Sequence, residues 1–214
     1  PPVAADGSSV GTRLNELAAA GHPVIELSLS DPIDLGGEFM RWEIATAIAG
    51  VVLGINPFDE PNVTESKNNT VAVLGELAAA GRLPELAPKA VDGALQIWVD
   101  NALPAAFSDD AVKLVVGQLQ RLAPRGYVGI HAYIATTPER TAALTSLRLL
   151  LRDATHRATT VGYGPRFLHS TGQLHKGGAP IGWFIQLVAG RPHDLEIPES
   201  SFTFGQLVDA QALG

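Results

Sequence analysis

Cysteine is missing from the 214 residues. Disulfides, thiol catalysis and thiolate metal sites are therefore excluded, and a reducing compartment is compatible with the composition. Charge is sparse: 17% of residues are Asp, Glu, Lys or Arg, against about a quarter in an average globular chain. Fifteen basic residues face 22 acidic ones, for a net charge of −7 and a pI near 5.3. A general nucleic-acid or anionic-membrane binder has the opposite balance, so any anionic substrate needs a local basic pocket. Long apolar runs are also lacking. The longest, Ile44 to Ile55, is broken by Thr46 and Gly50; it is too short to cross a bilayer and reads as a buried helix. The sequence has no Walker loop, dinucleotide fingerprint, GxSxG or HExxH, which removes the common motif-bearing enzyme classes. Pro1 stands first, and Met40 is the only methionine. The sequence is therefore expected to be a processed chain or a piece of a longer one. No charged segment followed by an apolar stretch opens it, so no signal peptide is expected.

What is present is apolar. The 46% hydrophobic share excludes general disorder and suffices for a real core. Residues 1–10 form a polar lead-in. Residues 11–20 read as a short helix closed by Gly21, followed by a strand from Pro23 to Leu29, the α–β step of a parallel sheet. Residues 37–53 read as a helix apolar nearly all round. A third helix is expected from Asn62 to Ala80, with Val63, Val71, Leu74 and Ala78 as its stripe and Gly81 at its end. Residues 94–99 suit a strand. Ser108 is expected to cap a helix with Asp109 and Asp110 in its first turn. Tyr127 to Ala135 reads as a buried strand. Thr137-Pro138-Glu139 marks a helix start, and that helix ends near His156 and Arg157. Strands are expected at 158–161 and 183–188, a glycine-rich loop with a short helix at 163–178, and a last helix at 206–213. Strands alternate with helices, with no hairpin signal between them. The pattern predicts a single α/β domain with a mainly parallel sheet, its ligand sites beyond the carboxyl ends of the strands.

Three places break the apolar pattern. Lys67 follows Val63 by one turn, so it is expected along the apolar stripe as a partly desolvated amine that could transfer a proton or hold an anion. The alternative is a lysine that reaches out to solvent at the stripe's edge. Residues 162–178 (GYGPRFLHSTGQLHKGG) hold Arg166, His169, Ser170, Thr171, Gln173, His175 and Lys176 among glycines. These groups suit a phosphorylated polar ligand, and the alternative is an ordinary surface loop. His169 and His175 do not have zinc-helix spacing, and no third ligand is evident, so no metal is expected. Glu43 stands alone in an apolar helix and is expected to pair with Arg41 or a backbone donor. Gly36 and Gly50, one heptad on either side of it, suggest a close approach by another segment. His22, His131 and His193 have no partners by sequence and read as structural.

At these same residues the chain resembles a known family. LGINPFDEPNVTESKNN (53–69) resembles the lysine segment of bacterial glucose-6-phosphate isomerases, roughly GxNPFDQPGVExxKxN. FLHSTGQLHKGG (167–178) resembles their LHSxGQ histidine segment. With GYGPR before it and GWFIQ after, that second match is most similar to the isomerase half of transaldolase/glucose-6-phosphate isomerase fusion proteins. The matched blocks cover about 24–71 and 158–190. The resemblance implies a sugar-isomerase (SIS) three-layer αβα sandwich. It implies interconversion of glucose 6-phosphate and fructose 6-phosphate through an enediol, with no metal or organic cofactor, in a cytoplasmic and commonly dimeric enzyme. It assigns ring opening to Lys67 and His169, and substrate contacts to Ser170 and Gln173. A glutamate then moves a proton between C1 and C2. The family's ESxGK segment with that glutamate is absent, as are the Ser/Thr-rich phosphate loop and any transaldolase half. The lysine motif precedes the histidine motif, as in the fusion-type enzymes. The resemblance therefore implies the carboxyl-terminal part of a longer enzyme, inactive when isolated. The alternatives are a sugar-phosphate-binding SIS module without catalysis, and a structural half that binds nothing alone.

Overall fold

In a computed structural model of the chain, the described residues are 10–84, 87–99, 110–169, 171–191 and 193–214. The chain divides into two compact units, Pro1–Asp59 and Glu60–Gly214. The first contains α1 (Val10–Ala19) and α2 (Asp34–Leu53). Gly21 follows α1 with a positive φ of 83°, as expected of a terminating glycine. The strand expected at 23–29 does not form: this stretch is irregular, with Ile25, Leu27 and Leu29 exposed. A strand is stable only when paired, and no partner stands beside this one among the described residues. α2 forms where expected, but Gly50 is its only buried residue, and Phe39, Trp42 and Ile48 stay exposed. The close approach expected at Gly50 is real: a Cβ there would meet the Pro57 ring at 2.6 Å. At Gly36 nothing approaches within 4 Å. Glu43 is exposed, and Arg41 pairs with Glu38 at 2.5 Å.

The second unit holds α3 (Pro61–Ala80), β1 (Ala90–Asp92), β2 (Leu95–Ile97), α4 (Ala111–Leu119), β3 (Tyr127–Tyr133), α5 (Pro138–Thr155), β4 (Thr159–Tyr163), α6 (Gly172–Gly177), β5 (Gly182–Val188) and α7 (Phe204–Leu213). β1 and β2 form an antiparallel hairpin turning at Gly93, whose φ is 57°. Asp92-Gly93 is the turn signal, so the expectation that no hairpin interrupts the chain was wrong. The cap of α4 also moves. Asp110, not Ser108, caps it, its carboxylate accepting from the Lys113 amide at 2.9 Å; Ser108 and Asp109 lie outside the described residues. The start of α5 forms as expected, with the Thr137 hydroxyl accepting from the Arg140 amide at 3.2 Å.

The chain is mixed α/β, built on a parallel three-stranded sheet in the order β4-β3-β5. Successive side chains on a strand face opposite ways, and β3 buries both sets. Val128, Ile130 and Ala132 are fully buried against Leu144 and Leu151 of α5. On the other face, His131 and Tyr133 meet Phe167, and Tyr133 also bonds to Gln211 of α7. Gln186 of β5 bonds to the α7 carbonyl of Ala212 at 2.6 Å. Helices thus cover both faces, compatible with the expected three-layer αβα class. The last loop is held by Arg191, which pairs with Asp209 of α7 and also donates to the Tyr133 carbonyl at 3.4 Å.

Ile130 is central to this core. Ile130→Ala is expected to cost about 2–5 kcal/mol in a denaturant titration, whereas Val71→Ala on the exposed side of α3 should change stability by less than about 0.5 kcal/mol.

Candidate functional site

The lysine segment lies on α3 and the histidine segment on a 3-10 helix (Arg166–His169) and α6. Separated by about half the chain, the two segments are directly bonded. The Asn62 amide N–H donates to Gln173 Oε1 at 3.1 Å, and Gln173 Nε2 returns a bond to Asn62 Oδ1 at 2.8 Å, across 111 positions. One turn along, the Lys176 ammonium donates to the Ser66 hydroxyl. Gly177 makes the closure possible: a Cβ there would collide with the Asn62 and Gln173 amides. Gly162 of β4 and Gly164 just after it act alike. A Cβ on Gly162 would meet Phe167 at 2.7 Å, and one on Gly164 would meet the Tyr133 ring at 2.6 Å. The loop therefore packs down on the sheet.

The buried face of α3 differs from the expected stripe. Val63, Ser66 and Leu77 are buried and Thr70 half-buried, whereas Val71 and Ala78 are exposed. The inward row thus steps from 63 to 66 and 70, and Lys67 falls beside it. Its side chain is 62% exposed, with its ammonium 3.7 Å from Glu60 at the start of the helix. The expectation of a desolvated amine is overturned, and the solvent-reaching alternative holds. The amine held against this helix is Lys176: the residue keeps exposed surface, but partial desolvation lowers its pKa, against the opposing pull of Glu65. His169 ends the 3-10 helix and is exposed. Gln173 is half-buried at the junction with α3. Ser170 lies outside the described residues.

Beneath α6 lies an aromatic and imidazole cluster that sequence reading missed. His131 stacks on Phe167 at 4.0 Å between ring centroids, with His175 at 5.0 Å and Phe184 at 5.1 Å. The Tyr127 hydroxyl and His175 Nδ1 share a 2.8 Å hydrogen bond. His131 Nε2 is buried with no hydrogen-bond partner. Burial, reinforced by the charges of His175 and Lys176, holds the His131 pKa down to about 4. Desolvation also lowers His175 and raises the Tyr127 phenol. The imidazoles are therefore neutral near pH 7, and His131 serves as a flat ring rather than as a cation. The signal for this was in the strand: His131 shares the β3 face of Tyr127, Gly129 and Tyr133, a period-2 aromatic row with a glycine gap. Beside the cluster a cavity of about 740 Å³ runs along β4, bounded by His131, Phe167 and Thr171 on one side and Arg148 and Tyr163 on the other.

Part of the chain is similar to bacterial glucose-6-phosphate isomerases. It is 37% identical over 68 residues to that enzyme of Leptospira biflexa, a match covering 31% of this chain and 15% of the relative. With the enzyme of Exiguobacterium sibiricum the identity is 44% over 52 residues, covering 24% of this chain and 12% of the relative. With that of Rubrobacter xylanophilus it is 35% over 79 residues, 32% and 18% respectively. The chain thus spans less than a fifth of the length of these relatives. No protein-family model and no solved structure matches it. Among the described residues, no helix is long and apolar enough to cross a membrane.

The neutral, half-buried His131 makes stability depend on pH. An unfolded histidine binds its proton below about pH 6.5, whereas the folded one resists it down to about 4. The unfolded state therefore holds more protons in that window, and stability falls as pH drops through it. After allowance for partial solvent access, the loss should be on the order of 1–2 kcal/mol between pH 7 and 4.5. His131→Phe, which keeps the stacked ring, should remove most of that slope in urea titrations at the two pH values; an unchanged slope would clear His131 of the effect.

Proposed function

We propose that this chain is the carboxyl-terminal isomerase segment of a glucose-6-phosphate isomerase of the transaldolase-fused kind, a single SIS-like unit completed by the rest of a cytoplasmic, dimeric enzyme. The observation that carries this reading is the reciprocal Asn62–Gln173 pair, joining the two motif-bearing segments at their core. Lys67 lies five positions beyond Asn62 on α3, and His169 four positions before Gln173. Both side chains are exposed, as groups that must meet a sugar from solvent have to be.

In the proposed reaction Lys67 and His169 open the hexose ring, one protonating the ring oxygen while the other takes the anomeric proton. Aldehyde exposure needs both an acid and a base, since the C–O bond breaks as the hydroxyl becomes a carbonyl. A glutamate supplied by the remainder of the enzyme then carries a proton between C1 and C2 through the enediol. Gln173 has one amide hydrogen beyond the bond to Asn62, available for a substrate hydroxyl, with Ser170 as its companion. No step calls for a metal or organic cofactor.

The 214 residues alone should turn over fructose 6-phosphate negligibly in a coupled assay; a rate near that of a complete isomerase would contradict the assignment. Calorimetry with fructose 6-phosphate separates a binding module, which saturates without activity in any longer form. In the longer protein, Lys67→Ala and His169→Ala should slow ring-closed substrate by about 10²–10⁴-fold and open-chain substrate far less. Equal losses on both would count against ring opening.

A further inference from the structure

We propose that the outer edge of β4 is a docking groove for an extended acidic peptide segment, which adds to the sheet as a fourth strand. β4 pairs with β3 on one side, and among the described residues no strand pairs with its other side. The backbone parity is set by bonds at both ends. The Ala158 carbonyl accepts from Val128 at 2.9 Å, and the Gly164 amide donates to Ala132 at 3.0 Å. Even-numbered residues therefore face β3, and in a parallel ladder the intervening ones face away. The N–H and C=O groups of Thr159, Val161 and Tyr163 thus point outward, where a strand can pair with them.

The cavity supplies the room. All five residues of β4 line it, three from one face of the sheet and two from the other, so it follows the edge itself rather than one face. Its volume of about 740 Å³ suits a short peptide, and the outward groups span about 13 Å at the usual strand rise. Charge selects the occupant. Arg148 reaches the first residue of β4, its guanidinium 3.4 Å from the Thr159 hydroxyl. Arg166 stands just past the last, 3.5 Å from the Thr136 hydroxyl. Among the described residues no carboxylate lines the cavity, in a chain whose net charge is −7. The geometry thus offers a ladder of backbone groups with a guanidinium at each end, complementary to an extended segment with acidic side chains about five positions apart. This site uses none of Lys67, His169 or Gln173 and does not depend on the isomerase reading.

The test titrates the 214-residue chain with the synthetic peptide acetyl-Glu-Thr-Val-Thr-Val-Glu-amide and follows amide hydrogen exchange by NMR. Strand addition should slow exchange at Thr159, Val161 and Tyr163 about tenfold or more, with Thr160 and Gly162 unchanged. Peptides N-methylated at alternate positions keep both charges; one of the two parities should lose binding. Arg148→Gln with Arg166→Gln should weaken the parent peptide about tenfold. Inorganic phosphate and fructose 6-phosphate are the competing probes. Absence of protection at the three amides would overturn the proposal, as would peptide binding that survives both N-methylation patterns. Tight binding of either small anion without peptide protection would assign the groove to an anion instead.

Discussion

The fold of the larger unit turns on one pair of amides. Asn62 and Gln173 satisfy each other across 111 positions, and every other feature of the junction follows from how close they must come. Gly177 is a glycine because its missing Cβ is the space those amides occupy. Ser66 is buried because the contact draws α3 onto α6, and a buried hydroxyl needs a partner, which Lys176 supplies. An ammonium held against that hydroxyl loses part of its solvation, and its lowered pKa reflects this. The junction thus makes two segments that are remote in the chain behave as one surface.

The sheet beneath it carries the complementary constraint. β3 is buried on both sides, so its two faces solve different problems. Val128, Ile130 and Ala132 give an ordinary aliphatic layer under α5. The opposite face is aromatic and imidazole-bearing, and its polar atoms are few enough that one, His131 Nε2, is left without a partner. Glycines at 129, 162 and 164 let large rings lie flat on the backbone there. Space on that face is therefore shared by rings of the sheet, from Tyr127, His131, Tyr133 and Phe184, and by Phe167 and His175 from the segment that follows β4.

Much of this was legible in the sequence where local chemistry decides. The helices from Asp34, Pro61 and Pro138 and the strands at 127–133, 159–163 and 182–188 follow from periodicity, caps and terminal glycines. The histidine-bearing loop stood out by composition. What escaped depends on neighbours remote in sequence. The apolar run at 23–29 has strand character, but among the described residues no strand stands beside it. The face of α3 was misjudged by one step because Ser66, a polar residue, is buried by a partner 110 positions away; no single-helix pattern announces that. His131 looked structural alone and gains meaning only when Phe167 and His175 arrive from another element. The Asp92-Gly93 hairpin was readable and overlooked.

The central claim is that the lysine-bearing and histidine-bearing segments are energetically one junction. A double-mutant cycle on Asn62→Ala and Gln173→Ala, measured by urea denaturation, addresses it directly. Asn62→Ala keeps the backbone N–H and removes only the side-chain acceptor, so the cycle reads the half-buried Gln173 Nε2–Asn62 Oδ1 bond, for which a coupling of about 0.5–1.5 kcal/mol is expected. Strictly additive losses would mean the amides do not meet in solution, and the shared surface on which the functional reading stands would be gone.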